Sequence, residues 1–381
     1  MNAIDIFLSL FILIYVLTLA VFAIGLIFYR SPIAGTSKTF ASVLVAARNE
    51  EANIETCLRA LFRQSYDPKR FEIIVIDDRS TDKTSEIVES LQEKFLNLRL
   101  ITITETPKDM APKKNALNEG IKVAKGEILV CTDADCRPEE NWLAGMLSCF
   151  KSDVGMVVGY SPIEPKKPFS LMENFLALDS LALASIAAGS TAMGSTLTAT
   201  GRSLAYRKEI FFEVGGFSKI ARFVSGDDDL LMGLVKKTKW KIGYCIAEKA
   251  LVFTDPSRSA AQFINQKIRQ ASKSMQYSLK MIAGLSLFYM FNLLIVLYLP
   301  WGFATAQSAL QKVFYGSLFG IKFIIDFLIL AAGAWRFGTV RYLRLYPIMA
   351  LLYPFYVVIF GAWGLFGKFE WKDSKSKYNN L

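Results

Sequence analysis

The chain has 381 residues, room for about two domains, with 44 Lys plus Arg against 34 Asp plus Glu and a net charge of +10. At 52% apolar, 13% aromatic and 20% charged residues it is not a disordered chain, a collagen-like chain or a small disulfide scaffold. It contains no histidine, which excludes His–Ser and His–Cys catalysis, an imidazole base and a His-rich zinc site, so acid–base work falls to carboxylates, Lys, Tyr or Cys.

Ile6 to Tyr29 carries no charge over 24 residues and is followed by Arg30, long enough to span a bilayer core. It is too long for a signal-peptide core and has Asp5 rather than Lys or Arg before it, so residues 1–30 read as an uncleaved anchor. A soluble segment follows. Thr39–Ala47 reads as a buried strand ending at Arg48-Asn49-Glu50-Glu51, and Asn53–Arg63 as a helix with Ile54, Leu58, Leu61 and Phe62 on one face. Phe71–Ile76 is a second apolar strand, stopping at Asp77-Asp78-Arg79-Ser80-Thr81-Asp82, and Thr84–Lys94 a second helix. Leu98–Thr102 is a third strand, Asn115–Ala124 a helix, and Glu127–Cys131 a fourth strand running into Thr132-Asp133-Ala134-Asp135. Strands alternating with helices predict an α/β layer fold with a parallel sheet, in which ligands bind at the carboxyl ends of the strands.

Phe169–Ala188 is apolar but contains Glu173 and Asp179, costly at the centre of a membrane, and reads as a helix near an acceptor cleft that touches the membrane surface. Three further apolar runs follow: Met281–Gln311, Val313–Trp335 with Lys322 and Asp326 four residues apart, and Leu345–Gly367 with Pro347 and Pro354 as kinks. The predicted division is therefore an anchor at 1–30, a catalytic segment at 31–280, about three spans at 281–367 and a polar basic tail at 368–381. Lys267, Arg269, Lys273 and Lys280 before the second span, and Arg336, Arg341 and Arg344 after the third, predict a protein integral to the cytoplasmic membrane with its soluble segment in the cytoplasm. With four full spans Lys368, Lys372, Lys375 and Lys377 fall on the opposite side. The positive balance fits such basic flanks, and no nucleic-acid recognition motif is present. The cysteines at 57, 131, 136, 149 and 245 form no CxxC pair and read as small apolar residues.

Asp67 and Asp82 read as turn or capping residues. Asp133 and Asp135, one residue apart in a turn, can face one small space, and hard oxygen ligands there favour Mg²⁺ or Mn²⁺ shared with a substrate diphosphate. A carboxylate at Asp77-Asp78 can accept hydrogen bonds from a base N–H or ribose hydroxyls, while Lys113 and Lys114 suit phosphate oxygens. Asp227-Asp228-Asp229 before an apolar run is either a charged helix N-terminus or a set of mutually repelling, pKa-raising acids. Tyr206, Phe211, Phe212 and Trp240 offer flat faces for ligand stacking, with core packing the plainer expectation for each.

In order, these segments resemble the membrane-anchored, inverting family 2 glycosyltransferases. Val45-Ala46-Ala47-Arg48-Asn49-Glu50-Glu51 resembles the first-strand motif, Asp77 to Asp82 the nucleotide turn, and Lys113 to Gly120 the Lys-x-x-Ala-Leu-Asn-x-Gly segment. Asp133-Ala134-Asp135 resembles the metal DxD, Thr200 to Arg207 the acceptor-side loop, Asp227 to Leu230 the segment carrying the base, and Gln266 to Arg269 the start of QxxRW. Gln270 stands where that last motif has Trp, which speaks against processive polymerisation; Gly226 replaces a frequent Glu and Arg79 a frequent Gly.

The resemblance implies a GT-A fold, a Rossmann-like mixed sheet, with transmembrane helices. It implies a nucleotide-sugar donor, UDP-linked by expectation, and binding residues at Ala47, Asn49, Glu50, Asp77, Asp78, Lys113, Asp133 and Arg269. Asp133 and Asp135 would hold Mg²⁺ or Mn²⁺, with Asp227 as general base and Asp228 as second choice. A glycan or polysaccharide acceptor is the first expectation. A single transfer to a ceramide, diacylglycerol or polyprenyl-phosphate type of lipid is the second, and membrane lipids are expected partners. A scaffold or sensor that has lost catalysis is the reading from another class, and the full set of acids argues against it.

Overall fold

The computed structural model describes residues 3–31, 39–366, 369–371 and 374–376. In chain order the elements are α1 (Ala3–Phe28), β1 (Ala41–Ala47), α2 (Ile54–Phe62), β2 (Phe71–Asp78), α3 (Thr84–Gln92), β3 (Leu98–Ile103), α4 (Pro112–Val123), β4 (Ile128–Asp133), β5 (Cys136–Pro138), α5 (Trp142–Ser148), β6 (Val154–Gly159), α6 (Leu171–Ala192), β7 (Leu204–Arg207), α7 (Lys208–Glu213), α8 (Asp229–Val235), β8 (Lys241–Cys245), β9 (Val252–Thr254), α9 (Ala260–Ser272), α10 (Leu279–Thr305), α11 (Ala309–Arg336) and α12 (Tyr346–Phe366). They form two compact units, one of residues 29–168 and 190–256, the other of residues 1–28, 169–189 and 257–381. Residues 169–189 and 257–280, which the sequence places in the catalytic segment, cluster instead with the apolar helices. Of the basic tail only backbone at 369–371 and 374–376 is described, paired antiparallel, so its expected lysine side chains lie outside the described residues.

The first unit is built on a seven-stranded sheet of order β3-β2-β1-β4-β7-β6-β8. β1 is parallel to β2 and β4, and β2 to β3. Val43, Leu44 and Val45 are fully buried, as are Ile73 to Ile76 on β2, because the central strands of a parallel sheet are covered on both faces. Each such side chain withdrawn from water contributes roughly 1.5–3 kcal/mol. Trp142, Leu143 and Met146 from α5 join Val43, Val45 and Val130 in the core.

Register fixes where the polar residues emerge. Ala47 lies opposite Asp77, and Ala46 opposite Asp133, so the carboxyl ends of β1, β2 and β4 lie side by side. Beyond β4 the direction changes: β7 is antiparallel to both β4 and β6, and β6 is parallel to β8. Leu204, the first residue of β7, pairs with Cys131, near the carboxyl end of β4. Residues just before β7 therefore arrive at the same edge as the acidic turns.

In the second unit, among the described residues of the whole chain, five helices are long and apolar enough to cross a membrane. Four match the expected anchor and C-terminal runs; the fifth is α6, 78% buried over its apolar window against 22–33% for the others. The exposed faces of the four carry large apolar residues such as Phe7, Leu10, Ile14, Leu297 and Phe355, as a lipid-facing surface requires. Several charged residues buried inside this unit are paired, as burial demands. Asp5 is not a free flanking charge: its Oδ1 accepts from the Tyr298 and Tyr315 hydroxyls at 2.9 and 3.0 Å. Lys322 pairs with Asp326 along α11, as its spacing predicts, and Tyr15 donates to the same carboxylate at 2.7 Å. Asp179 on α6 forms a buried ion pair with Lys267 on α9.

Candidate active site

The first two strand ends are laced together. Asn49 takes the left-handed region (φ +52°), which a short amide side chain tolerates. Its N–H donates to Ser80 Oγ (2.9 Å) and its Oδ1 accepts from the Thr81 N–H (2.8 Å). The Glu50 N–H donates to Thr84 Oγ1 at 2.8 Å and the Glu51 N–H to Asp82 Oδ2 at 3.0 Å. Asp77 and Asp78, adjacent in sequence, do different work. Asp77 accepts from the Ser80 N–H and the Ser85 hydroxyl, holding the turn, whereas Asp78 accepts from Arg79 Nε at 2.8 Å and from Thr106. Asp67 and Asp82 cap, as read from sequence: Asp67 accepts from the Lys69 N–H and Asp82 from the Thr84 N–H.

The third strand end carries the metal candidates. One donor atom each from Asp133, Asp135 and Cys136 lies within 4.8 Å of the others. Burial first, then the charges of Asp133 and Glu50, hold the Asp135 carboxyl above the usual range. That coupling places the first and fourth strand ends in one electrostatic neighbourhood. Burial, then Asp135 and Asp133, keeps Cys136 a neutral thiol well above neutral pH. Two hard carboxylates crowded enough to raise a pKa, beside a neutral sulfur, are a donor set that fits Mg²⁺ or Mn²⁺.

Lys113 joins this edge to the last acidic turn. Pro112 opens α4, a favoured place for it, and sets Lys113 in the first turn. Its Nζ donates to Asp133 Oδ1 at 2.7 Å and forms an ion pair with Asp227 Oδ2 at 3.0 Å. Burial pulls the Lys113 pKa down, but the two carboxylates outweigh it and hold the ammonium above the usual lysine range. Lys114 is buried and donates to the carbonyls of Phe223 and Ser225, fixing the segment that leads to Asp227.

The three consecutive acids divide their roles. Asp228 caps α8 through the Asp229 N–H (2.7 Å) and accepts from the Gly201 N–H (3.0 Å). Buried Asp229 accepts from the Ala199 N–H at 2.6 Å and from Thr198 at 3.2 Å. Asp227 faces Lys113. Gly201 allows this closeness, since a Cβ there would lie 2.9 Å from Asp227 Oδ2 and 3.4 Å from Lys113 Nζ. Gly226 supplies the left-handed backbone (φ +91°) that precedes the acids.

Ala47, Asn49, Glu50, Asp78, Asp133, Asp135, Lys113 and Asp227 thus emerge along one edge of the sheet unit. Arg269 belongs to α9, in the helical unit. The sequence reads Lys113 and Lys114 alike as partners for phosphate oxygens, but Lys114 is buried and committed to the Phe223 and Ser225 carbonyls as a loop anchor, and Arg202 has no individual role in that reading. Tyr206 and Phe211 are buried core, and Trp240 lies under the Arg207 guanidinium, while Phe212 is exposed. All five cysteines are free and buried, as expected for small apolar residues.

A mixed, mainly parallel sheet with acidic strand ends beside a DxD pair is the arrangement of the GT-A fold. Residues 42–215 match the model "Glycosyl transferase family 2", so this segment is similar to the family 2 glycosyltransferases. The chain is 30% identical over 180 residues to a probable glycosyltransferase, YdaM, of Bacillus subtilis, a match covering 46% of this chain and 42% of the relative. It is 34% identical over 155 residues to a beta-monoglucosyldiacylglycerol synthase of a Nostoc species, covering 39% of this chain and 32% of the relative. The chain therefore spans less than half the length of these relatives. Among solved structures it resembles the mannosyltransferase PcManGT of Pyrobaculum calidifontis, determined with GDP-Man and Mn²⁺, at a TM-score of 0.57 and 20% identity over 96% of this chain and 98% of that one, a likeness of fold.

Proposed function

We propose that this enzyme transfers a sugar, with inversion, from a nucleoside-diphospho-sugar (UDP-linked by expectation) to a glycan or lipid acceptor at the cytoplasmic face of the membrane. The observation that carries the reading is the Lys113 bridge between Asp133 and Asp227, because it sets the metal-ligand candidate and the base candidate against one space. Asp78 receives the nucleoside, with Ala47, Asn49 and Glu50 forming the neighbouring wall; Asp77 serves from behind by holding the turn. Asp133 and Asp135 would hold Mg²⁺ or Mn²⁺, which when bound neutralises charge on the departing diphosphate. Lys113 adds positive charge there.

Asp227 accepts the acceptor hydroxyl's proton as that oxygen attacks the anomeric carbon in line. Asp228 is the weaker candidate, since both its oxygens accept backbone N–H groups. Incubating purified protein with a panel of nucleotide sugars and Mn²⁺ or Mg²⁺, with and without membrane lipid, tests the reading through diphosphate release. No release with any donor, under conditions where the protein is folded, overturns it.

A second reading makes the acceptor a lipid that receives one sugar. Gln270 in place of the motif's Trp and the similarity to a beta-monoglucosyldiacylglycerol synthase favour it. Product length separates the two: a single addition supports lipid transfer, and a ladder supports polymerisation.

A further inference from the structure

Most cations along the acidic edge are committed. Lys113 bridges two carboxylates, Lys114 holds two carbonyls, and Arg79 Nε holds Asp78. Arg202 differs: among the described residues it forms no hydrogen bond or ion pair, and acts on Asp135 and Cys136 only through space. Its backbone is nevertheless fixed on both sides. Gly201 before it donates to Asp228 and lies against Asp227 and Lys113, and Ser203 after it accepts from the Trp142 indole at 3.0 Å. The side chain is half-buried.

A guanidinium presents up to five N–H donors in a planar fork that matches phosphate oxygens in pairs. We propose that Arg202 is a phosphate-binding residue of the transfer site, gripping either the donor's diphosphate or a phosphate carried by the acceptor. The inference rests on the glycosyltransferase reading and adds a residue and a ligand class to it.

The test uses the full chain in detergent, as wild type, Arg202→Gln and Arg202→Lys. Calorimetry with Mn²⁺ measures binding of UDP and of GDP, and a second arm measures a short isoprenyl phosphate against the corresponding alcohol. Because Arg202 has no bond to lose, the variants should unfold at the wild-type temperature. A loss of about tenfold or more in nucleotide affinity in Arg202→Gln, partly restored in Arg202→Lys, assigns the grip to the donor diphosphate. Unchanged nucleotide binding with selective loss of the isoprenyl phosphate, but not the alcohol, assigns it to the acceptor. If wild type binds nucleotide and no affinity changes in Arg202→Gln, the inference is overturned alone. If wild type binds neither nucleotide, the glycosyltransferase reading falls and this inference with it.

Discussion

Neighbouring carboxylates in this protein are separated by a few hydrogen bonds into those that hold the loops and those that pair with Lys113 or Arg79. Asp227→Asn removes the proposed proton acceptor but keeps the shape of the side chain. It should lower sugar transfer by roughly 10²–10⁴-fold, the usual worth of a positioned base, while nucleotide binding persists. Equal loss of both would show that Asp227 serves binding instead. Asp229→Ala should act differently. It strands the half-buried N–H of Ala199 and costs about 1–3 kcal/mol of stability, read as a lower unfolding midpoint in denaturant. Asp135→Ala should abolish the metal-dependent part of donor binding, and unchanged binding with and without a chelator would remove it from the ligand set.

At the scale of elements, the loops are held by backbone geometry as much as by side chains. Gly226 sits at φ +91° with Leu230 packed against its Cα, so Gly226→Ala should destabilise by about 1–3 kcal/mol. Gly233, inside α8 with open space around it, is the control: Gly233→Ala should stabilise by up to about 1 kcal/mol. A thermal melt of both variants checks the contrast. The turn after β2 adds a pH dependence. Burial raises the Asp82 pKa, but hydrogen bonds from Thr84 and Glu51 outweigh it and leave the carboxyl below its ordinary value. A lowered folded pKa contributes stability that is full above about pH 4 and fades as pH falls through the folded value. Asp82→Asn should flatten the acid limb of a stability–pH profile and leave the neutral region near its new, lower level.

Across the whole molecule, most of the elements were legible in the chain. The first four strands and three helices follow from apolar runs of strand length and from helical spacing, and fall within a few residues of their expected ends. β7 was not legible, because its four residues Leu204–Arg207 carry no alternating pattern. Its direction, which delivers Arg202 to the active edge, follows only from pairing with β4 and β6. The helical unit was legible by length and apolarity, except that α6 belongs with it; the charges that argued against a membrane location for α6 are buried, Asp179 against Lys267. Buried charge pairs are costly to break singly. Lys322→Met should therefore destabilise the helices by several kcal/mol, and the double change Lys322→Met with Asp326→Leu should recover much of it, by thermal unfolding in detergent.

The residue order by itself determined the strand ends, the acidic turns and the apolar helices, because these depend on hydrophobic pattern and on local charge. Only the tertiary structure decided which aspartate of each cluster holds a loop. Adjacent carboxylates are chemically identical in a sequence. They become different when strand register brings a backbone N–H to one, which then holds a loop, and an ammonium to its neighbour, as Lys113 is brought to Asp227.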